Sequence, residues 1–234
     1  MSAIEGLYPK RHLISVDEKT GIQALEHLEG RAPDSRSAYK RIEFEYVRHG
    51  TTCLMAATDV GKGRVAQYRL GAERKEPDFP AFIQATVACY PPTDEILILA
   101  DQLNTRFSES LVRWAASRWL ASVNGFEADL GKKGRKGILK NTQSRMAFLE
   151  TSTHRVRFVY TPKHCSWLNP VENWFAKLQR HIIQKGNFSS VGDLIGKIEA
   201  YIDFHNRCLV KPLKWKFKGF SKAEELKNIK RTNT

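Results

Sequence analysis

The segment Ile96-Leu97-Ile98-Leu99-Ala100 is apolar at every position. A strand with one wet face alternates apolar and polar side chains, so an unbroken run of this kind needs cover on both faces. The flanking sequence supplies that cover as helices. Asp78 caps a helical pattern that places Phe79, Phe82, Ile83, Thr86, Val87 and Tyr90 on one face, and Pro91-Pro92 stops it. Asp101-Gln102-Leu103-Asn104 ends the apolar run, and Ser108 then caps a second helix bearing Leu111, Val112, Ala115 and Trp119. The fold class is therefore α/β, with 96–100 as a central strand.

Upstream, His12 to Val16 is a short, largely apolar strand that ends in Asp17-Glu18. Residues 19–43 are polar and contain Gly21, Gly30 and Pro33, which reads as a long loop with room for one helical turn. Phe44 to Arg48 and Thr51 to Thr58 are strand-like runs around His49-Gly50, and Gly61-Lys62-Gly63 turns into a third over Arg64 to Arg69. Together these predict an antiparallel meander of three strands. Gly-Lys-Gly lacks the remainder of a phosphate-binding loop and is read as a turn.

Downstream, residues 121–153 break the α/β rhythm. From Gly131 to Leu149 there are six basic residues and no acid. The segment reads as a basic insertion, either a solvated loop or a contact to phosphates through Lys132, Lys133, Arg135 and Lys136. A β-rich run from Arg155 to Tyr160 ends at Thr161-Pro162, and Asn169-Pro170 is a helix start, because Asn caps free amides and Pro suits the first helical turn. Leu168, Val171, Phe175, Leu178 and Ile182 follow as an apolar stripe. Glu172 lies along its edge and has two readings: it closes a capping box with Asn169, or it serves a cation. Ser190 caps a last helix with Val191, Leu194, Ile195, Ile198, Tyr201 and Ile202. Lys214-Trp215-Lys216-Phe217-Lys218 alternates cations with aromatics, which suits nucleic-acid stacking and phosphate contact, or equally an edge strand. With no internal repeat and no second core, residues 1–220 read as one domain and 221–234 as a basic tail.

Thirty-eight Lys and Arg against 25 Asp and Glu give a net charge of +13 over 234 residues. That excess favours a polyanionic partner, nucleic acid before membrane, because no amphipathic anchor accompanies it. Four scattered cysteines without a CxxC pair indicate neither a disulfide framework nor a zinc site. No signal peptide or bilayer-spanning run is seen, so a cytoplasmic location is expected.

On this basic background three acids stand out by position. Asp17 closes the first strand, Asp101 closes the buried one, and Glu172 opens a helix after a later strand. In open α/β sheets chemistry gathers at strand ends. If the first and buried strands are parallel neighbours, both aspartates emerge at one edge within reach of Glu172. Three clustered carboxylates repel one another and call for divalent cations, and oxygen-only ligands favour magnesium or manganese. Two such ions stabilise the attacking and leaving oxygens of a phosphoryl displacement. Glu18 is a rival whose side chain is expected on the opposite face. Asp59, at another strand end, ranks fourth.

At these residues the sequence resembles bacterial insertion-sequence transposases of the mariner superfamily. The matching pieces are Ser15-Val16-Asp17-Glu18-Lys19-Thr20, Asp101-Gln102-Leu103-Asn104-Thr105, and Thr161-Pro162 with Ser166-Trp167-Leu168-Asn169-Pro170-Val171-Glu172. The resemblance implies an RNase H-like core, a mixed sheet of about five strands flanked by helices, in which Asp17, Asp101 and Glu172 hold Mg2+ or Mn2+ as a pair. It implies cleavage of double-stranded DNA at transposon ends and transfer of the freed 3′ ends into target DNA. It also gives residues 19–43 a role in homodimer formation. Two departures accompany it. Seventy residues separate Asp101 from Glu172, about twice the gap usual in the superfamily, and the basic 121–153 segment accounts for the excess. No helix-turn-helix pair precedes Asp17, so a catalytic half with a separately encoded helix-turn-helix partner is expected, acting at the bacterial nucleoid.

Overall fold

β1 (Arg11–His27) is the strand on which the rest is assembled: it pairs antiparallel with β2 (Tyr46–Asp59) on one side and parallel with β4 (Glu95–Ala100) on the other. β3 (Arg64–Gly71) adds antiparallel to β2, and β5 (Val156–Tyr160) adds parallel to β4. The sheet order is β3-β2-β1-β4-β5, the five-stranded mixed sheet expected from the sequence. These elements come from a computed structural model that describes residues 10–27, 45–72, 76–119, 130–162 and 165–213.

The helices cover both faces. α1 (Asp78–Ala88), α2 (Glu109–Trp119) and α3 (Thr142–Leu149) border one core, where Phe82, Ile83, Leu111, Val112 and Leu149 meet Ile14, Val16, Ile96, Ile98 and Phe158. On the other face α4 (Val171–Leu178) and α5 (Val191–Phe204) bring Val171, Phe175, Leu178, Leu194 and Ile198 against Ile22, Ala24, Leu54 and Ala56. A smaller cluster joins Leu99 to Leu13 and Val60. The 96–100 run is thus covered on both sides, as its composition demands. The Ser108 and Ser190 caps both form: Ser108 Oγ accepts from the Leu111 amide at 3.3 Å and Ser190 Oγ from the Asp193 amide at 3.0 Å. Asp78, by contrast, is the first helical residue and pairs with Arg69 at 2.8 Å instead of capping.

Two strand assignments need correction. β1 does not stop at Asp17 but continues to His27, so residues 19–27 belong to the sheet and not to a loop. The pairing shifts between Lys19 and Ile22, where two residues of β1 oppose one of β2 and Gly21 takes a positive φ of 65°. One extra residue turns the following side chains to the other face. Ile14 and Val16 therefore enter the first core, while Ile22 and Ala24 enter the second. A polar Lys-Thr-Gly stretch marks the bulge and hides the continuation. Likewise, the runs on either side of His49-Gly50 are one strand, β2, with Gly50 at φ 131° beside the second register shift. The meander is β1-β2-β3, and no hairpin forms at His49-Gly50.

The basic segment is also more integrated than expected. Leu130, Leu139 and Leu149 are wholly buried in the first core. Between the first two, Lys132 to Lys136 forms a tight turn in which the Lys132 amide donates to the Lys136 carbonyl at 2.9 Å. Lys132, Lys133, Arg135 and Lys136 are exposed on that turn. From Leu130 onward this is part of the fold, not a loose insertion. The remainder of the segment before Leu130, the 28–43 portion of the proposed dimer loop, Lys214, Trp215 and Lys216, and the 221–234 tail lie outside the described residues.

Candidate active site

β1 and β4 run in parallel with Ser15 opposite Leu99, so Asp17, still within β1, and Asp101, just past the end of β4, come at the same level. Ser15 of β1 reaches the start of α4, the helix that carries Glu172 in its first turn. The juxtaposition expected of two parallel neighbours is therefore present.

α4 is fixed to β1 by a buried polar junction. Ser15 Oγ donates to Asn169 Oδ1 and accepts from the Val171 amide at 2.8 Å. Asn169 Nδ2 donates to the Val16 carbonyl at 3.0 Å and to Asp17 Oδ2 at 3.1 Å. Asn169 is wholly buried, and all of its side-chain contacts go to β1. It does not cap α4 with its side chain, contrary to the sequence reading; Ser15, from a strand far away in the chain, caps the Val171 amide instead. The capping box for Glu172 is also absent. The Asn169 amide donates to the Ser166 carbonyl at 2.8 Å, and the Glu172 carboxylate has no hydrogen-bond partner among the described residues. Of the two readings of Glu172, the capping one fails.

The site's electrostatics rest on Arg106, which the sequence reading missed. It lies in the short 3-10 turn Asn104–Phe107 after β4, with its side chain wholly buried. Nε donates to Asp101 Oδ1 at 3.0 Å, Nη1 to Glu18 Oε1 at 2.7 Å and Nη2 to Asp17 Oδ1 at 3.2 Å. Glu18 is thus no bystander on the far face: its side chain is buried against the same guanidinium as Asp17. A signal was available, since an Arg stands five residues after Asp101 in a stretch otherwise free of cations. Asp59, the fourth-ranked acid, is taken up elsewhere by the Tyr90 hydroxyl and the Lys62 amide, both at 3.0 Å.

The Asp17 carboxyl is raised to about 6: burial is the largest cause, Arg106 pulls against it, and Asp101 and Glu172 add to the rise. Burial also raises Glu172, opposed by Lys19 and reinforced by Asp101. Asp101 thus raises both Asp17 and Glu172. As arranged, no three acidic, histidine or cysteine groups among the described residues stand close enough to hold one ion. The donor set nevertheless suits a hard divalent cation: oxygen-only, mutually repelling and oriented by second-layer bonds from Asn169. Trp167, two residues before Asn169, is 70% exposed.

A five-stranded mixed sheet with helices on both faces, and acids on and just after its adjacent parallel strands β1 and β4, defines an RNase H-like architecture. The sequence model for DDE superfamily endonuclease matches residues 12–195. The chain belongs to that family. Its fold is similar to that of a solved structure described as the Mos1 strand transfer complex, at 10% identity and a TM-score of 0.50, over 84% of this chain and 47% of that one. It is similarly close to the Mos1 transposase paired-end complex with left transposon end, at 10% identity and a TM-score of 0.51, over 87% of this chain and 52% of that one. The chain thus spans about half the length of these solved chains. No curated protein matches the sequence.

The raised Asp17 carboxyl makes a pH prediction. The folded state holds this proton up to about pH 6, whereas an unfolded aspartate releases it near 3.8. Between those values the native state binds more protons, so this group's contribution to stability falls as pH rises and levels off above 6. In chelator, Asp17→Asn should match the parent's stability near pH 4 and exceed it above pH 7, by up to about 3 kcal/mol. Denaturant melts at both values check this; a difference that does not change with pH would contradict it.

Proposed function

We propose that this chain is the catalytic domain of a transposase that uses divalent cations, magnesium or manganese, to cleave DNA at transposon ends and join the freed ends to target DNA. The observation that carries the reading is the parallel pairing of β1 and β4. It brings Asp17 and Asp101 to the same level, with Glu172 on the helix that Asn169 pins to β1. Asp17, Asp101 and Glu172 are the residues that would hold the cations, a pair in this reading. Bound cations would supply Lewis acidity to the oxygens that attack and leave during phosphoryl transfer. The protein's own part is positional: Asn169 orients Asp17 Oδ2, and the Ser15–Val171 bond fixes where α4 begins.

The +13 charge supplies attraction to the DNA backbone. Lys132, Lys133, Arg135 and Lys136, together on an exposed turn, are the described candidates for phosphate contact, with Lys214, Trp215 and Lys216 proposed alongside them. Trp167, exposed two residues before Asn169, is a candidate stacking surface. The structures of similar fold are described as a strand transfer complex and as a transposase paired-end complex with left transposon end. A bacterial insertion-sequence origin, pairing of two copies through residues 19–43 and a helix-turn-helix partner for end recognition belong to the same proposal.

Isosteric substitutions test the acids. Asp17→Asn, Asp101→Asn and Glu172→Gln should each abolish metal-dependent cleavage of a DNA substrate while the circular dichroism spectrum stays native. Parental cleavage by Glu172→Gln would remove that residue from the site. A strand-transfer assay on pre-cleaved ends then separates a transposase from a nuclease that only cuts.

The turn makes a separate prediction. Changing Lys132, Lys133, Arg135 and Lys136 together to Ala should weaken duplex binding and flatten the dependence of log K on log salt by up to about four phosphate contacts' worth, with the melting temperature unchanged. Unaltered binding would leave the turn as a solvated surface.

A further inference from the structure

Arg106 heads the fully buried side chains by volume, ahead of the apolar ones. Its turn is held from two sides: its amide donates to the Leu103 carbonyl at 2.9 Å, and the Tyr160 hydroxyl donates to its own carbonyl at 3.0 Å. The guanidinium lies over the Phe79 ring, with its central carbon 4.3 Å from the ring centroid. From that seat it divides three N–H groups among three carboxylates, one bond each, in place of the two-pronged pairing that a guanidinium makes with a single partner.

This division is poorly suited to a purely structural ion pair. One guanidinium divides its bonds among Asp17, Glu18 and Asp101, with Glu172 close enough to raise Asp17. The bond to Asp17 is the longest of the three, at 3.2 Å, and its acceptor oxygen already receives the Glu18 amide at 2.8 Å. Asp101 Oδ2 has no partner among the described residues, and the Asp101 side chain is 24% exposed. The guanidinium therefore keeps the carboxylates together while leaving oxygens open on the solvent side.

We infer that Arg106 is the site's resident counter-ion: it holds Asp17 and Asp101 in place when no cation is bound, and it opposes cation binding by sharing the same carboxylates. This rests on the cation-binding reading of the site. Arg106 then sets how tightly a divalent ion is held, and the apo fold depends on it more than the loaded fold does. A coordinated ion and a guanidinium bonded to the same oxygens repel each other at close range, so loading requires Arg106 to give up part of its bonding.

The test is a calorimetric titration of the metal-free full chain with Mn2+, for the parent, Arg106→Lys and Arg106→Gln, alongside melting curves in chelator and in Mn2+. Arg106→Gln removes a full charge beside the ion and should bind Mn2+ at least about tenfold more tightly than the parent. Arg106→Lys, which loses the three-way fork but keeps a mobile charge, should fall between. Both should melt lower than the parent in chelator, and Mn2+ should raise their melting temperatures more than it raises the parent's. Should Arg106→Gln fail to fold in chelator, Arg106→Lys carries the comparison. Equal or weaker Mn2+ binding by the folded variants, with melting lowered by the same amount with and without the ion, overturns the inference and makes Arg106 a structural residue only. A parent that binds no Mn2+ overturns both the inference and the cation-binding reading beneath it.

Discussion

The site depends on the buried junction between β1 and the start of α4. Ser15 and Asn169 lie far apart in the chain, yet their side chains bond to each other, to a helix amide, to a strand carbonyl and to Asp17. Each of these groups is buried, so each would cost on the order of 1–3 kcal/mol if left unpaired. The network has little room to slip: moving α4 by one residue would strand several polar atoms at once. Glu172 inherits its position from this junction, because it follows Asn169 by three residues on a rigid helical turn. The helix is pressed down from behind by Val171, Phe175 and Leu178, all buried against Ile22, Ala24 and Leu54.

The bulge at Gly21 is the second half of the same design. One strand has to present Asp17 beside Asp101 and then supply apolar side chains to the core under α4 and α5. A regular strand keeps odd and even residues on fixed faces along its length. The extra residue near Gly21 resets the alternation, so β1 serves the first core with Ile14 and Val16 and the second with Ile22 and Ala24. Charge balance follows from this crowding. Three carboxylates lie around one buried guanidinium, and burial holds the Asp17 carboxyl near 6 in spite of it. The fold therefore gathers acids at one edge of an otherwise basic molecule.

What the sequence made legible was periodic or local. The unbroken run 96–100 specified a covered strand, Ser108 and Ser190 specified helix starts, and Asp17 and Asp101 marked where β1 and β4 lie side by side. What it concealed was non-local. The 19–27 stretch looks like a loop because its buried residues, Ile22 and Ala24, are sparse and follow a bulge, and only pairing with β2 makes it a strand. Asn169 looks like a helix cap because Asn before Pro usually is one; its side chain is diverted by Ser15 and Asp17, which no local pattern reveals. Arg106 was hidden for the same reason, since its three partners come from two strands. Leu130, Leu139 and Leu149 sit among lysines and arginines that make the segment look solvated, yet they anchor it in the core.

Iron-directed backbone cleavage reaches the central claim, a single cation site built from Asp17, Asp101 and Glu172, most directly. With Fe2+ substituted for magnesium and ascorbate with peroxide added, radicals form at the bound metal and cut the nearby chain. The account predicts cuts clustered near residues 17, 101 and 172, suppressed by excess Mg2+ and absent from Glu172→Gln. Cuts confined to other segments, or an unchanged pattern in that variant, would contradict it.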